Sequence, residues 1–483
     1  MTETSAFGSW WPAAVSREPD REILLIEAGE VKLSRADLDL LVRRFAAWYH
    51  DRGLRQGEAV LIDAGGGELA IPAVFGAMAL GLVPLCLPPD ATEAQRRRSA
   101  EALGARLELR GAADDPSAVS MNDEGLLDAL ATLPPLREYP KVPAESDAVI
   151  LFSSGTTGLA RGCRISHRAL YEAARQFPKL DGFPPWPRVL VATTVHTITG
   201  LRFALPVPAL QDASTVWLPA STPAPLMMVA ASHHRCSVVS AGPGFVPAVL
   251  QDVDRVAAAI SPGAPALVWA GGGAVTLEQR ARFTQRLGVE VHHAYGLTET
   301  CGTLGWWTLD ADGRQRWRAR DGVTLRVERE APEDPFGTVL VHTAAAFTAY
   351  LDGSGPRIID GQPWVDTGDL GHIGADGELE LRGRRARMFT ATDGEKVLID
   401  EVEAAIRRVS GHLSYVGVLP GTRPTLAALV EQSTPWTKAQ DRALRELLPA
   451  RALPKLVRAV PQLPLNVNGK LDPARCQSAL EQE

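Results

Sequence analysis

Between Phe152 and His167 the chain reads Phe-Ser-Ser-Gly-Thr-Thr-Gly-Leu-Ala-Arg-Gly-Cys-Arg-Ile-Ser-His, and the eleven residues Ser153 to Cys163 hold three glycines, two serines and two threonines. Glycine lets the backbone turn several N–H groups toward one centre, and the hydroxyls add donors. Arg161 and Arg164 supply positive charge beside them. This chemistry suits a polyphosphate better than a packed core; the bland alternative is a polar surface loop. It is not a P-loop of the G-x-x-x-x-G-K-[ST] type, because no Lys-Ser/Thr follows the second glycine at the required distance.

The loop needs a strand to hold it, and Ala148–Phe152 is an apolar run of strand length. Three more such runs end in polar or glycine-rich segments: Arg188–Ala192 into Thr193–Leu201, Ala266–Ala270 into Gly271–Ala274, and Val289–His293 into Ala294–Gly302. Ligands of open α/β sheets gather at the carboxyl ends of strands, so these four ends are expected to line one cleft. Leu33–Trp48 reads as a helix with Ser34 as N-cap, followed by strand 58–62, a buried helix at Ala70–Leu80 and strand Val83–Leu87. A helix is expected over Arg168–Arg175, and Gly111–Asp147, rich in Asp, Pro and Ala, reads as a peripheral excursion. The alternation through about residue 300 predicts an α/β fold with mostly parallel sheets. A region of short strands follows, including Gly337–His342 and Gly377–Leu381. After Gly383–Arg387, helices at Asp400–Arg408 and Lys438–Leu447 and strands at Tyr415–Leu419 and Ala427–Glu431 predict a small α+β domain able to move as a unit.

At 483 residues the chain exceeds a single core, and two or three domains are expected. A net charge of −7 argues against a nucleic-acid partner. The N-terminus lacks the basic and apolar regions of a signal peptide, and no apolar run reaches the ~18 residues of a membrane span. Five scattered cysteines without CxxC spacing fit reduced thiols in a cytoplasm and predict no zinc site; His233-His234-Arg235-Cys236 lacks a second ligand pair.

The order of the motifs resembles the adenylate-forming superfamily of acyl- and aryl-CoA ligases, peptide-synthetase adenylation domains and luciferase-like enzymes. Ser153–Gly162 is similar to its phosphate loop S-G-T-T-G-x-P-K-G, Tyr295–Glu299 to Y-G-x-T-E, and Asp366–Asp369 to T-G-D. Gly383-Arg384 is similar to its interdomain G-R, and Pro464–Lys470 to P-x-x-x-x-G-K. The resemblance implies layered α/β subdomains plus a β region in a large N-terminal domain, 1–382, and a small mobile α+β C-terminal domain, 383–483. It implies activation of a carboxylic acid by ATP as acyl-AMP with release of pyrophosphate, then transfer to a nucleophile, usually a thiol.

By that resemblance Ser153, Ser154, Gly155, Thr156, Thr157, Gly158 and Arg161 cradle the phosphates. Glu299 holds Mg²⁺, Thr298 contacts the α-phosphate, and Tyr295 and Gly296 lie beside the adenine. Gly272, Gly273 and Ala274 run along the purine, Asp369 accepts the ribose hydroxyls with Arg384 nearby, and Lys470 bridges the reacting carboxylate and phosphate. His196, in Val195–Leu201, resembles F-H-x-x-G-L; it reads equally as a substrate contact or a core histidine. No acid stands between Thr193 and Leu201 to pair with an α-ammonium, which favours an acid without an α-amino group. Trp306-Trp307 reads as a packed aromatic pair, or as a wall of the acyl pocket.

Four departures bear on the second step. Ala160-Arg161 replaces Pro-Lys, Ala386 stands where the hinge carries Asp or Lys, Asp393 replaces a glycine of the lid loop, and Pro473 replaces an arginine. The first reading is therefore a ligase passing the acyl group to CoA or a carrier-protein thiol. The alternative is capture by an amine to give an amide, and a third is an ATP-binding protein without catalysis.

Overall fold

The computed structural model describes residues 6–482 except 28–29, 65–66, 112–117, 154–160, 178–186, 262–264, 274, 311, 332–333, 335, 392–395, 420, 422–423 and 466–470. The described chain falls into two compact units, one drawn from 1–153, 161–324 and 342–365, the other from 325–341 and 366–483.

The first unit contains a nine-stranded sheet in the order Gln315–Ala319, Gly302–Leu309, Glu290–Leu297, Leu267–Gly271, Val238–Ala241, Arg188–Val191, Ser214–Trp217, Glu22–Ile26 and Val31–Ser34. From Glu290–Leu297 to Glu22–Ile26 all neighbours are parallel, and the strands added at each edge are antiparallel. Parallel strands are covered on both faces, which is why Leu267–Ala270 and Val189–Val191 are continuous apolar runs, fully buried. A seven-stranded sheet runs Ala349–Tyr350, Gly162–Ser166, Asp147–Phe152, Val83–Leu87, Ala59–Asp63, Leu107–Arg110, Val119–Ser120.

Helix Arg35–Asp51 starts where Ser34 and Asp37 form a capping box, each side chain accepting from the other's backbone N–H. Helix Ala70–Leu80 is buried throughout, as its unbroken apolar sequence requires. The four strand ends expected to line one cleft come from two sheets. Asp147–Phe152 belongs to the seven-stranded sheet, while the other three strands share the nine-stranded one. The strand at Glu290–Leu297 also runs further than the apolar pattern suggested, carrying Tyr295 and Gly296 inside it. Within 111–147, Val119–Ser120 extends a sheet edge and Glu124–Thr132 is a helix capped by Asp123, so this segment is partly built into the fold.

In the second unit, the Asp369–Ile373 part of strand Gln362–Ile373 pairs antiparallel with Leu379–Arg384. Further on, Ser414–Leu419, Thr425–Glu431 and Leu456–Val460 form a three-stranded sheet, antiparallel then parallel. Helix Ile399–Ser410 packs Val402 and Ile406, both fully buried, into its core. Pro473 opens a final helix, Pro473–Glu481, at the position where a missing N–H costs nothing, with Asp472 as its cap. Among the described residues no helix is long and apolar enough to cross a membrane.

Candidate active site

Strand Glu290–Leu297 delivers the central residues of the first unit. Its parallel partner ends at Gly271, opposite Ala294, so Gly272 and Gly273 emerge beside the strand that carries Tyr295. His293 ties the two together: its Nε2 lies 2.9 Å from the Gly273 carbonyl, which only an Nε2–H can satisfy. Burial pushes this imidazole down to about 4, so it is neutral at physiological pH. Gly296 sits against the facing strand, where a Cβ would lie 2.1 Å from the Gly302 carbonyl oxygen; no other residue fits there without moving that strand. Tyr295 is buried with its ring 6.1 Å from that of Trp307 and 6.3 Å from that of Trp317.

The strand ends in a 3-10 turn, Thr298–Thr300, and Glu299 is only 9 % exposed. Its backbone oxygen accepts from Phe347 N at 2.8 Å, and its carboxylate Oε1 accepts from the Tyr350 hydroxyl at 2.8 Å. Burial, and then the Glu299 charge, push the Tyr350 phenol far above its usual range, so it stays a donor. Tyr350 also pairs with Cys163 across the edge of the seven-stranded sheet, which brings the residue after the glycine-rich loop to Glu299. The Arg161 guanidinium lies 3.5 Å above the Tyr350 ring. It is paired to Asp352 at 2.6 Å and also donates to the Ser354 hydroxyl. Ser153 N donates to Arg161 O at 2.9 Å, so the described flanks of the loop are tied to each other.

His196 is buried, with Nδ1 hydrogen-bonded to the Thr194 hydroxyl, just before helix Ile198–Ala204. Trp306 and Trp307 do not form a pair. Successive strand residues face opposite ways, and Trp306 packs on Trp269 while Trp307 packs on Trp317 and His293.

In the second unit Asp369 is 6 % exposed and its Oδ1 lies 2.9 Å from Arg384 Nε, the two residues facing one another across the antiparallel pair. Arg384 also donates to Thr367 O at 3.0 Å, and its backbone N–H to Asp400 at 2.6 Å. Arg387, next to Ala386, bridges Asp400 and Glu403. The sequence departure to alanine therefore lies beside an ion-pair cluster. The described flanks of Lys470 are joined as well: Leu465 bridges Leu471, and Asp472 N donates to Pro464 O at 2.9 Å.

The structure thus gathers Arg161, Glu299, Thr298, Tyr295, Gly296, Gly272 and Gly273 in the first unit, and Asp369 with Arg384 in the second. Ser154, Gly155, Thr156, Thr157, Gly158, Ala274 and Lys470 lie outside the described residues, as does Asp393. Sequence reasoning missed Tyr350, Asp352 and Ser354. The only local signal is the turn-forming Asp352-Gly-Ser-Gly355, and nothing in it points to Arg161, 191 residues earlier.

Mg²⁺ prefers oxygen ligands, and nucleotide sites hold it with one or two carboxylates, substrate phosphates and water. A single Glu299 carboxylate held at one oxygen fits that donor set. No cluster of three or more His, Cys, Asp or Glu exists among the described residues, so an all-protein cage is not what this turn resembles.

The chain is similar in sequence and in fold to known proteins. Sulfoacetate–CoA ligase of Cupriavidus necator is 26% identical over 477 residues, covering 90% of this chain and 89% of the relative. The fold matches ATP-bound MatB from Rhodopseudomonas palustris with a TM-score of 0.84 at 21% identity, over 100% of this chain and 99% of the other. It also matches the o-succinylbenzoate CoA synthetase MenE from Bacillus subtilis, in complex with the acyl-adenylate OSB-AMP, with a TM-score of 0.82 at 19% identity, over 96% and 97%. These likenesses give the architecture of a large N-terminal α/β part and a small C-terminal α+β part. The sequence model described as AMP-binding enzyme matches residues 11–351, which carry the glycine-rich loop, the Glu299 turn and Tyr350, and the chain belongs to that family.

Proposed function

We propose that this protein is an ATP- and Mg²⁺-dependent acid ligase that activates a carboxylic acid without an α-amino group as its acyl-adenylate and passes the acyl group to a thiol, CoA or a carrier-protein thiol. The observation that supports it most is the Glu299 turn. A buried carboxylate, oriented by Tyr350, stands one ring away from the arginine that closes the glycine-rich loop. The family, and the likeness to a sulfoacetate–CoA ligase, support this reaction class.

In the first half-reaction a carboxylate oxygen of the acid attacks the α-phosphorus, the bond to the β-phosphate bridging oxygen breaks, and pyrophosphate leaves. A carboxylate is a weak nucleophile approaching a polyanion, so charge must be neutralised and the reactants aligned. Arg161 and the glycine-rich loop hold the departing phosphates. Glu299 would hold Mg²⁺, which supplies charge neutralisation at the phosphate oxygens. Asp369, fixed by Arg384, accepts the ribose hydroxyls, Tyr295 and Gly272–Gly273 lie against the purine, and Lys470 supplies the donor at the reacting oxygens. His196, buried and hydrogen-bonded to Thr194, is the candidate side chain for contact with the acid. In the second half-reaction a thiolate adds to the acyl carbon and the acyl–oxygen bond to AMP breaks.

The test is product analysis by mass spectrometry with ATP, Mg²⁺ and a panel of acids, run with CoA, with amines and with neither. Acid-dependent pyrophosphate and a thioester with CoA are the expected result. Amide formed without CoA would replace the thiol acceptor by an amine. Tight ATP binding with no pyrophosphate from any acid would leave an ATP-binding protein without catalysis.

A further inference from the structure

Two arginines lie in the interior of the first unit, and among the described residues neither forms an ion pair with an acid. Arg202, in the last turn of helix Ile198–Ala204, and Arg320, just past strand Gln315–Ala319, are each 2 % exposed. Arg202 makes one long hydrogen bond, from Nη2 to the Thr303 hydroxyl at 3.5 Å, and its Nε and Nη1 are covered without an acceptor. Arg320 reaches Ala173 O at 3.4 Å and the Thr343 hydroxyl at 3.2 Å, and its Nε has no acceptor. After burial, the groups that act on them electrostatically are the Arg320 charge and the Cys301 thiol on Arg202, and the Cys301 thiol and Glu172 on Arg320. Glu172 is committed to Arg175 at 2.7 Å and Gln176 at 2.9 Å, and burial pushes Cys301 up to about 12, leaving it neutral. Burial lowers both guanidinium groups only to about 10, so both are cations at neutral pH.

Arg280 is the contrast to Arg202. Arg280, fully buried, donates to Val291 O at 3.1 Å, Gln315 Oε1 at 3.2 Å and Trp307 O at 2.7 Å. A buried charge left without a partner is destabilising, and burying two beside each other more so; native proteins keep such groups where a ligand completes them. The location is specific. Gly302, at φ +101°, lies so close that a Cβ would come 2.6 Å from Arg202 Cζ, and it pairs with Leu297 on the strand that leads into Glu299. Arg202 is six residues beyond His196. Its guanidinium stands 5.7 Å from the Phe177 ring, which packs in turn on Phe203 and Trp269.

We infer that Arg202, with Arg320 beside it, is an anion-binding subsite for the acid, and that the acid this enzyme activates carries a second anionic group, a carboxylate or a sulfonate, in addition to the carboxylate that is adenylated. The inference rests on the ligase reading above. Two-point binding would seat the distal anion on the arginines, against the aromatic side chains, and leave the other carboxylate to react.

The experiment measures pyrophosphate release by the full chain with ATP and Mg²⁺ on matched acids: propionate, succinate and 3-sulfopropionate; benzoate, terephthalate and 4-sulfobenzoate. The expected result is a kcat/KM at least about thirtyfold higher for an anionic acid than for its neutral partner, with the preference between succinate and sulfopropionate, or their aromatic counterparts, separating carboxylate from sulfonate. In Arg202→Met that ratio should fall by about thirtyfold or more, the size seen when one member of a buried charge pair is removed. Arg202→Lys should retain part of it, and the KM for ATP should not follow it. The ligand-free melting temperature of Arg202→Met should equal or exceed that of the wild type, since an unpaired buried charge has gone. Release with neutral acids only, an unchanged ratio in Arg202→Met, or a variant that melts markedly lower or does not fold would overturn the subsite and keep the ligase. No release with any acid would overturn the ligase reading, and the subsite with it.

Discussion

Tyr350→Phe isolates the contact that orients Glu299. The substitution deletes one hydroxyl, 2.8 Å from Glu299 Oε1, and leaves the ring beneath Arg161 and against Phe347. A hydrogen bond to a charged acceptor contributes about 1.5–3 kcal/mol. Glu299 is 9 % exposed, so water recovers part of the loss, and the lower end applies. About 1.5 kcal/mol corresponds to roughly a tenfold change in an equilibrium. If the hydroxyl holds the carboxylate in its metal-binding geometry, the Mg²⁺ concentration giving half-maximal pyrophosphate release should rise about tenfold. The KM for the acid should stay near its wild-type value, and the rate should recover at high Mg²⁺. Titrating Mg²⁺ at fixed ATP and acid measures this. An unchanged Mg²⁺ midpoint with equal rate loss at every concentration would refute the argument and reduce Tyr350 to a packing residue.

Three other outcomes follow from the same geometry. Arg161→Ala should slow adenylation while Arg161→Lys largely preserves it, measured by pyrophosphate release; equal loss from both would show that the guanidinium's contacts with Asp352 and Ser354 matter more than its charge. Lys470→Ala should lower the adenylation rate by roughly 10²–10³, with ATP affinity by calorimetry little changed, as for loss of one transition-state donor. His167, 2 % exposed, is pushed by burial down to about 4, so the unfolded chain binds its proton first as pH falls. Stability from this group is fully present above about 6.5 and is lost as pH drops toward about 4, by at most about 3 kcal/mol; His167→Gln should flatten that part of the denaturation profile.

Much of the architecture was legible because it is encoded locally. Ser34 and Asp37 announce a helix start, Ala70–Leu80 is apolar throughout, and the parallel strands are short apolar runs bounded by glycine or polar residues. What local pattern does not encode is which strands share a sheet. Asp147–Phe152 looks like the strands before Thr193 and Gly271, yet its partners are Val83–Leu87 and Gly162–Ser166. The residues proposed for the site could be singled out because they sit in contiguous signatures. Tyr350 and Asp352 were not, because their meaning comes from Glu299 and Arg161, far away in sequence. Arg202 and Arg320 were invisible for a different reason: an arginine reads as a surface residue until its burial is known. Trp306 and Trp307 show a smaller failure, since adjacency in sequence on a strand means opposite faces.

The central claim is that a carboxylate oxygen of the acid attacks the α-phosphorus of ATP. Acid labelled with ¹⁸O in its reacting carboxylate, turned over with ATP, Mg²⁺ and CoA, tests it directly. The mechanism predicts one labelled oxygen in the AMP phosphate and none in pyrophosphate, because the oxygen that forms the bond to phosphorus leaves with AMP when the thiol takes the acyl group. Label in inorganic phosphate with ADP as co-product, or unlabelled AMP, would contradict it.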